Sequence, residues 1–110
     1  MPKKVQQDDG DTGVATATRT EKKLARPVLY KVILHNDHYT TREFVVAILQ
    51  SVFHRSETDA IQIMLHVHHN GQGVAGVYPF DVAETKIRTV EQLAKENEYP
   101  LRLSMEPEEG

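Results

Sequence analysis

Between the apolar run Val32-Ile33-Leu34 and an amphipathic stretch that opens at Thr41 lies a five-residue polar loop, Asn36-Asp37-His38-Tyr39-Thr40. The hydrophobic pattern changes period across it, from one that suits a strand to one that suits a helix, so the chain must pass from one element to the other within these residues. Upstream, Leu29-Tyr30-Lys31-Val32-Ile33-Leu34 is rich in strand formers and apolar at its far end. Downstream, Thr40 and Glu43 have the spacing of a capping box, and Phe44, Val45, Ile48, Leu49 and Val52 recur at helical intervals. A first helix is therefore expected from about Thr41 to Phe53. A carboxamide, a carboxylate and an imidazole at such a corner do more than turn the chain. They offer acceptors to a polar ligand.

The rest of the chain reads in the same way. Ser56 with Asp59 repeats the helix start, and Ala60, Ile61, Met64, Leu65 and Val67 carry the period until Asn70-Gly71 stops it. Gly73 to Tyr78 has strand propensity interrupted by small residues, and Pro79 ends it. From Val82, the residues Ala83, Ile87, Val90, Leu93 and Ala94 mark a third helix closed by Asn97 and Pro100. Leu101 to Met105 alternates as a half-buried strand does. The order is βααβαβ, which predicts a small two-layer α+β domain with helices on one face of a sheet. With 110 residues, 39% of them hydrophobic and only three Phe and four Tyr, the chain can build one modest core. Residues 1–26 hold almost no large apolar side chain and are expected to be a disordered extension. Residues 27–106 are the expected domain, and 107–110 a short C-terminal tail.

Several function classes are excluded by composition. The chain has no cysteine, hence no disulfide framework, thiolate nucleophile or thiolate metal site. No run approaches the roughly 18 apolar residues of a membrane span, and the N-terminus lacks the apolar core of a secretory signal, so a cytoplasmic protein is expected. Residues 1–26 carry six basic and four acidic residues, whereas residues 27–110 carry seven basic and twelve acidic. An acidic body is the reverse of what a phosphate backbone requires, so no nucleic-acid partner is expected. His66, His68 and His69 suggest a metal site on paper. Helical neighbours two apart, however, point roughly 200° from each other, and His66 with His69 alone is an incomplete ligand set. No nucleophile elbow, phosphate loop or paired-carboxylate motif is present, so neither a catalytic residue nor a cofactor is assigned.

His68 follows Met64 by one helical turn, so a polar ring ends an apolar stripe. If the first strand lies beside this helix, Asn36, Asp37 and His68 converge at the mouth of a hole lined by Met64 and Val67. Such a rim suits a small cation attached to a hydrophobic body. A free peptide N-terminus fits, because its α-amino group, with a pKa of about 7.7–8.0, is mostly protonated at neutral pH and offers three donors.

These residues, together with Glu43-Phe44-Val45, Met64-Leu65-His66-Val67-His68, Gly76-Val77-Tyr78 and Val82-Ala83-Glu84-Thr85-Lys86, closely resemble the ClpS family over about residues 27–106. That family comprises adaptors that deliver N-degron substrates to the AAA+ protease ClpAP. The resemblance implies a three-stranded antiparallel sheet packed against helices, acting as a monomer. It implies that Asn36, Asp37 and His68 bind the α-amino group, and that Leu34, Thr40, Val45, Met64, Val67 and Leu101 shape a side-chain pocket, with Arg42 at its gate. It also implies that Tyr39, Asp81 and Lys86 contact the N-terminal domain of a ClpA-type unfoldase, and that residues 1–26 match the extension used in substrate hand-off. Family members accept N-terminal Leu, Phe, Tyr and Trp.

Three departures from the family pattern stand out. His38 replaces the loop's usual second aspartate, Arg42 replaces a gating methionine, and Asp81 stands where Glu is usual. His38 removes a negative charge near the ammonium and adds one that can become positive in mild acid. A planar guanidinium favours aromatic faces, so Arg42 implies a preference for aromatic N-termini over Leu unless it simply points to solvent. A second reading of the whole chain is a regulator that occupies the unfoldase N-domain and blocks other substrates without presenting cargo.

Overall fold

The computed structural model describes residues 27–109. The expected disordered extension, residues 1–26, lies outside the described residues. The elements are β1 (Leu29–His35), α1 (Arg42–Ser51), α2 (Glu57–Asn70), β2 (Gln72–Pro79), α3 (Phe80–Glu96) and β3 (Arg102–Pro107), in the βααβαβ order the sequence predicts. No helix among the described residues is long and apolar enough to cross a membrane.

The three strands form one antiparallel sheet in the order β2-β1-β3. β2 and β3 therefore run in the same direction on either side of β1, and the link between them must cross the sheet. The 17-residue α3 makes that crossing with a length of about 25 Å. Val32 and Leu34 point to the same side of β1 and are fully buried. Val45, Ile48 and Leu49 from α1, Phe53 just after it, Ala60 and Val67 from α2, and Ala83, Val90 and Ala94 from α3 close over them. The opposite face is polar at its margins, with Lys31 paired to Glu106 at 3.5 Å and the His35 ring 2.6 Å from the Ser104 hydroxyl. The helices thus cover one face of the sheet.

Some boundaries differ from the sequence expectation, each for a local reason. The N-cap of α1 is Thr41, whose hydroxyl accepts the Phe44 N–H at 3.2 Å, and not Thr40 as the capping-box spacing predicts. Thr40 is held by Asp37 instead, so the next residue takes over the cap. α1 stops at Ser51 where helix was expected to Phe53, because His54 turns into the left-handed region at φ 58°. α3 starts at Phe80 rather than Val82, directly after Pro79, whose fixed φ suits an entry to a helix. β3 begins at Arg102 and runs to Pro107, leaving Leu101 just ahead of it in the core. Ser56 caps α2 as its spacing with Asp59 predicts, and Gly71, at φ 89°, closes it.

The register of β1 on β2 passes from Val32 opposite Gly76 to Ile33 opposite Val74, which leaves Ala75 as a bulge. The Arg55 Nε–H donates to the Ala75 carbonyl at 2.9 Å, so the irregular backbone is satisfied. One residue on, Gly76 lets the Tyr78 ring fold back over it. A Cβ at Gly76 would lie 2.7 Å from Tyr78 Cε2 and Cζ, and that ring is already flanked by Phe53 and the Lys86 ammonium. Gly76→Ala is therefore expected to lower the unfolding free energy by about 1–3 kcal/mol, read as a shift in the urea midpoint.

Candidate functional site

The loop from β1 to α1 is fastened at both ends. The Asn36 N–H donates to the Gly71 carbonyl at 2.9 Å, which ties the loop to the C-terminal end of α2. Asp37 organises the remainder. One carboxylate oxygen accepts the amides of Tyr39 at 2.8 Å and Thr40 at 2.7 Å, and the other accepts the Thr40 hydroxyl at 2.7 Å. Burial by itself would raise the Asp37 pKa, but the Thr40 amide and hydroxyl, the Tyr39 amide and the neighbouring His38 together outweigh it. The carboxyl accordingly titrates below the usual carboxylate range. A carboxyl lowered in this way supports the fold above its unfolded pKa and withdraws that support as pH falls through the lowered value. Asp37 therefore stays charged at neutral and mildly acidic pH.

Two helices wall the space above this loop. Arg42, Glu43 and Val45 come from the first turn of α1, where side chains tilt back toward the loop. Met64, Val67 and His68 share one face of α2 at spacings of three and four. Together with residues 36–41 they enclose an open depression of ≈ 540 Å³. Behind it, Leu34 and Leu101 with Asn36, Asp37, Thr40, Val45 and Val67 line an inner cavity of ≈ 20 Å³, about the space one water needs. The expected α-amino acceptors and side-chain pocket residues are thus brought together, in two adjoining compartments. Thr41 and Glu43 also line the depression, which the sequence reading missed. Their place in the first turn after the loop was the available signal.

Arg42 is exposed at the rim, where its side chain reaches across to α2. Its Nη2 lies 3.2 Å from His68 Nε2. A guanidinium only donates, so His68 Nε2 must be the acceptor and the ring carries its proton on Nδ1. His66 faces elsewhere, with Nδ1 3.2 Å from the Asn70 amide nitrogen. Among the described residues, no three His, Cys, Asp or Glu stand close enough to share a metal ion.

The residues assigned to a partner surface lie apart from the inner cavity. Tyr39 is 77% exposed on the rim of the depression, and Asp81 is exposed in the first turn of α3. Lys86 turns inward. Its ammonium donates to the Val52 carbonyl at 2.7 Å and lies 5.2 Å from the Tyr78 ring centre.

The arrangement presents a negative charge, an imidazole acceptor and a carboxamide at the mouth of an apolar hollow. It can hold a small cationic head that has an apolar side chain beside it.

Comparison with known proteins agrees with this geometry. The family model for the ATP-dependent Clp protease adaptor protein ClpS matches residues 25–104. The ATP-dependent Clp protease adapter protein ClpS of Myxococcus xanthus is 70% identical over 105 residues, covering 96% of this chain and 98% of that protein. Its counterpart in Syntrophus aciditrophicus is 57% identical over 86 residues, covering 78% of this chain and 80% of that protein. Among solved structures, Agrobacterium tumefaciens ClpS2 bound to L-phenylalaninamide is similar, with a TM-score of 0.73 and 46% identity, over 76% of this chain and 100% of that one.

Proposed function

The chain belongs to the ClpS family of ATP-dependent Clp protease adaptor proteins, and on that premise we propose that it captures substrates by a free, bulky hydrophobic or aromatic N-terminal residue. It then delivers them to a ClpA-type AAA+ unfoldase. The observation that carries this reading is the convergence of Asn36, Asp37 and His68 on a depression walled by Val45, Met64 and Val67. The ligand of the Agrobacterium relative has matching chemistry, an α-amino group beside a benzyl side chain.

Each half of the ligand has a counterpart. The α-ammonium brings three donors to Asp37, His68 Nε2 and the Asn36 carboxamide, and charge-assisted hydrogen bonds contribute about 1.5–3 kcal/mol each. Burying a Leu or Phe side chain contributes a further ~1.5–3 kcal/mol. After association entropy is subtracted, the two together support affinity of roughly micromolar order, which neither reaches alone. The inner cavity by itself is too small for either side chain, which rests against Val45, Met64 and Val67 in the larger depression. Docking on the unfoldase uses a surface that meets the ligand site at Tyr39 on the rim and extends to the exposed Asp81 on α3. Lys86, bonded to Val52, holds the start of α3 against the end of α1 beneath that surface.

Fluorescence anisotropy with free N-terminal peptides that differ only in their first residue tests this reading. Phe and Leu peptides are expected to bind and a Ser peptide is not; equal binding of all three contradicts the reading. Arg42 at the rim is expected to favour Phe over Leu by about twofold to fivefold, the worth of an exposed cation–π contact. Equal affinity for Phe and Leu would remove that preference and leave the adaptor reading in place.

A further inference from the structure

We propose that Arg42 is a resident cation that keeps the ligand's place on His68, so that an N-terminus binds by exchanging one positive donor for another. The inference rests on the site reading above. It adds a residue that sets affinity for every ligand, whatever that ligand's first side chain.

His68 Nε2 is the imidazole acceptor that faces the depression, and Arg42 Nη2 already occupies its lone pair at 3.2 Å. An incoming α-ammonium needs that same lone pair, and the ring cannot offer a second one there. The pairing also fixes the tautomer that an ammonium requires, with the proton on Nδ1. The guanidinium thus rehearses the ligand's contact while it blocks it.

The position of Arg42 supports a role beyond helix formation. It is the first residue of α1, where the positive end of the helix dipole disfavours a cation. A cation kept at that point needs a compensating partner, and the partner it finds is on another helix, 26 residues away in the chain. Arg42 also has somewhere to go when displaced. With Glu43 and Met64 it lines both the ligand depression and an adjoining apolar groove of ≈ 400 Å³ between α1 and α2. There its methylenes can lie along Ile61 and Met64 while its head meets Glu43 or water.

Exchange has a measurable consequence. A ligand must give back the Arg42–His68 hydrogen bond before it gains its own, so the parent protein binds more weakly than a variant in which His68 is free. The Leu-first peptide isolates this effect, because it has no aromatic face for Arg42 to contact.

The test is Arg42→Ala, an exposed position whose truncation leaves the core intact, measured with the Leu-first peptide and by nitrogen NMR of the His68 ring. The variant is expected to bind the Leu peptide about 3- to 10-fold more tightly, the range of one net hydrogen bond. In the ligand-free parent, the His68 Nε2 resonance should be that of a hydrogen-bonded acceptor. It should move in ligand-free Arg42→Ala. Unchanged or weaker Leu binding, or an unmoved His68 resonance, overturns the place-holding role while leaving the site reading intact. A parent protein that binds no free N-terminal peptide overturns the site reading and this inference with it.

Discussion

Asp37→Ala is expected to reduce affinity for a free N-terminal Phe peptide by on the order of 100-fold, because it removes a charge-assisted hydrogen bond and loosens the loop that aims the others. The parent carboxylate accepts three hydrogen bonds from Tyr39 and Thr40, so its loss frees the segment that leads into the Thr41 cap. It also removes the one acidic side chain among the three expected acceptors, Asn36, Asp37 and His68. The segment is surface loop, so global stability should fall by no more than about 1 kcal/mol. Asp81 and Lys86 lie on α3, away from the change, so unfoldase docking should persist through them and weaken only by whatever Tyr39, freed from Asp37, contributes. A variant that still docks and still competes with other substrates, yet delivers no N-degron reporter, would separate cargo presentation from mere occupancy of the unfoldase. Undiminished delivery by Asp37→Ala would contradict the adaptor mechanism. Asp37→Asn, which keeps an acceptor for the loop amides but not the charge, should fall between parent and Ala.

Much of this was legible in the chain, and the limits have physical causes. Element type and order follow from hydrophobic period, because a buried face recurs every second residue in a strand and every third or fourth in a helix. Ser56 and Gly71 were readable as helix ends because each solves its problem locally, one by an accepted amide and the other by a left-handed φ. The start of α1 was misplaced by one residue because two adjacent threonines compete for the cap. Only the contact between Asp37 and Thr40 decides between them. The end of α1 carries no Gly or Pro, so nothing in the local sequence announced the left-handed turn at His54.

The site divides along the same line. Asn36 and Asp37 were visible because acceptors crowd a short loop, and His68 because it breaks an apolar stripe. The pairing of Arg42 with His68 joins two helices and has no local signature. Nor has the direction of Lys86. On an amphipathic helix a lysine at the polar margin can face water or turn inward. Here the C-terminal end of α1 leaves the Val52 carbonyl without a helical partner, and the Lys86 ammonium supplies one. A sequence shows which residues carry the chemistry before it shows which of them occupy one another.

Acetylating the ligand's N-terminus is expected to have an effect as large as deleting Asp37. The acetyl group removes the positive charge and leaves a single N–H where the ammonium offered three. At least two charge-assisted bonds are lost, and the acceptors of Asp37 and His68 face a neutral amide. At about 1.5–3 kcal/mol each, those bonds correspond to a loss of 100-fold or more. The hydrophobic side chain is untouched, so any binding that survives measures the contribution of the apolar compartment alone. The decisive measurement is therefore the affinity of one Phe-first peptide in its free and N-acetylated forms, titrated against the same protein at neutral pH. A site that reads the beginning of a chain predicts firm binding of the free peptide and a loss of two orders of magnitude or more for the blocked one. Equal affinity for the two would contradict it.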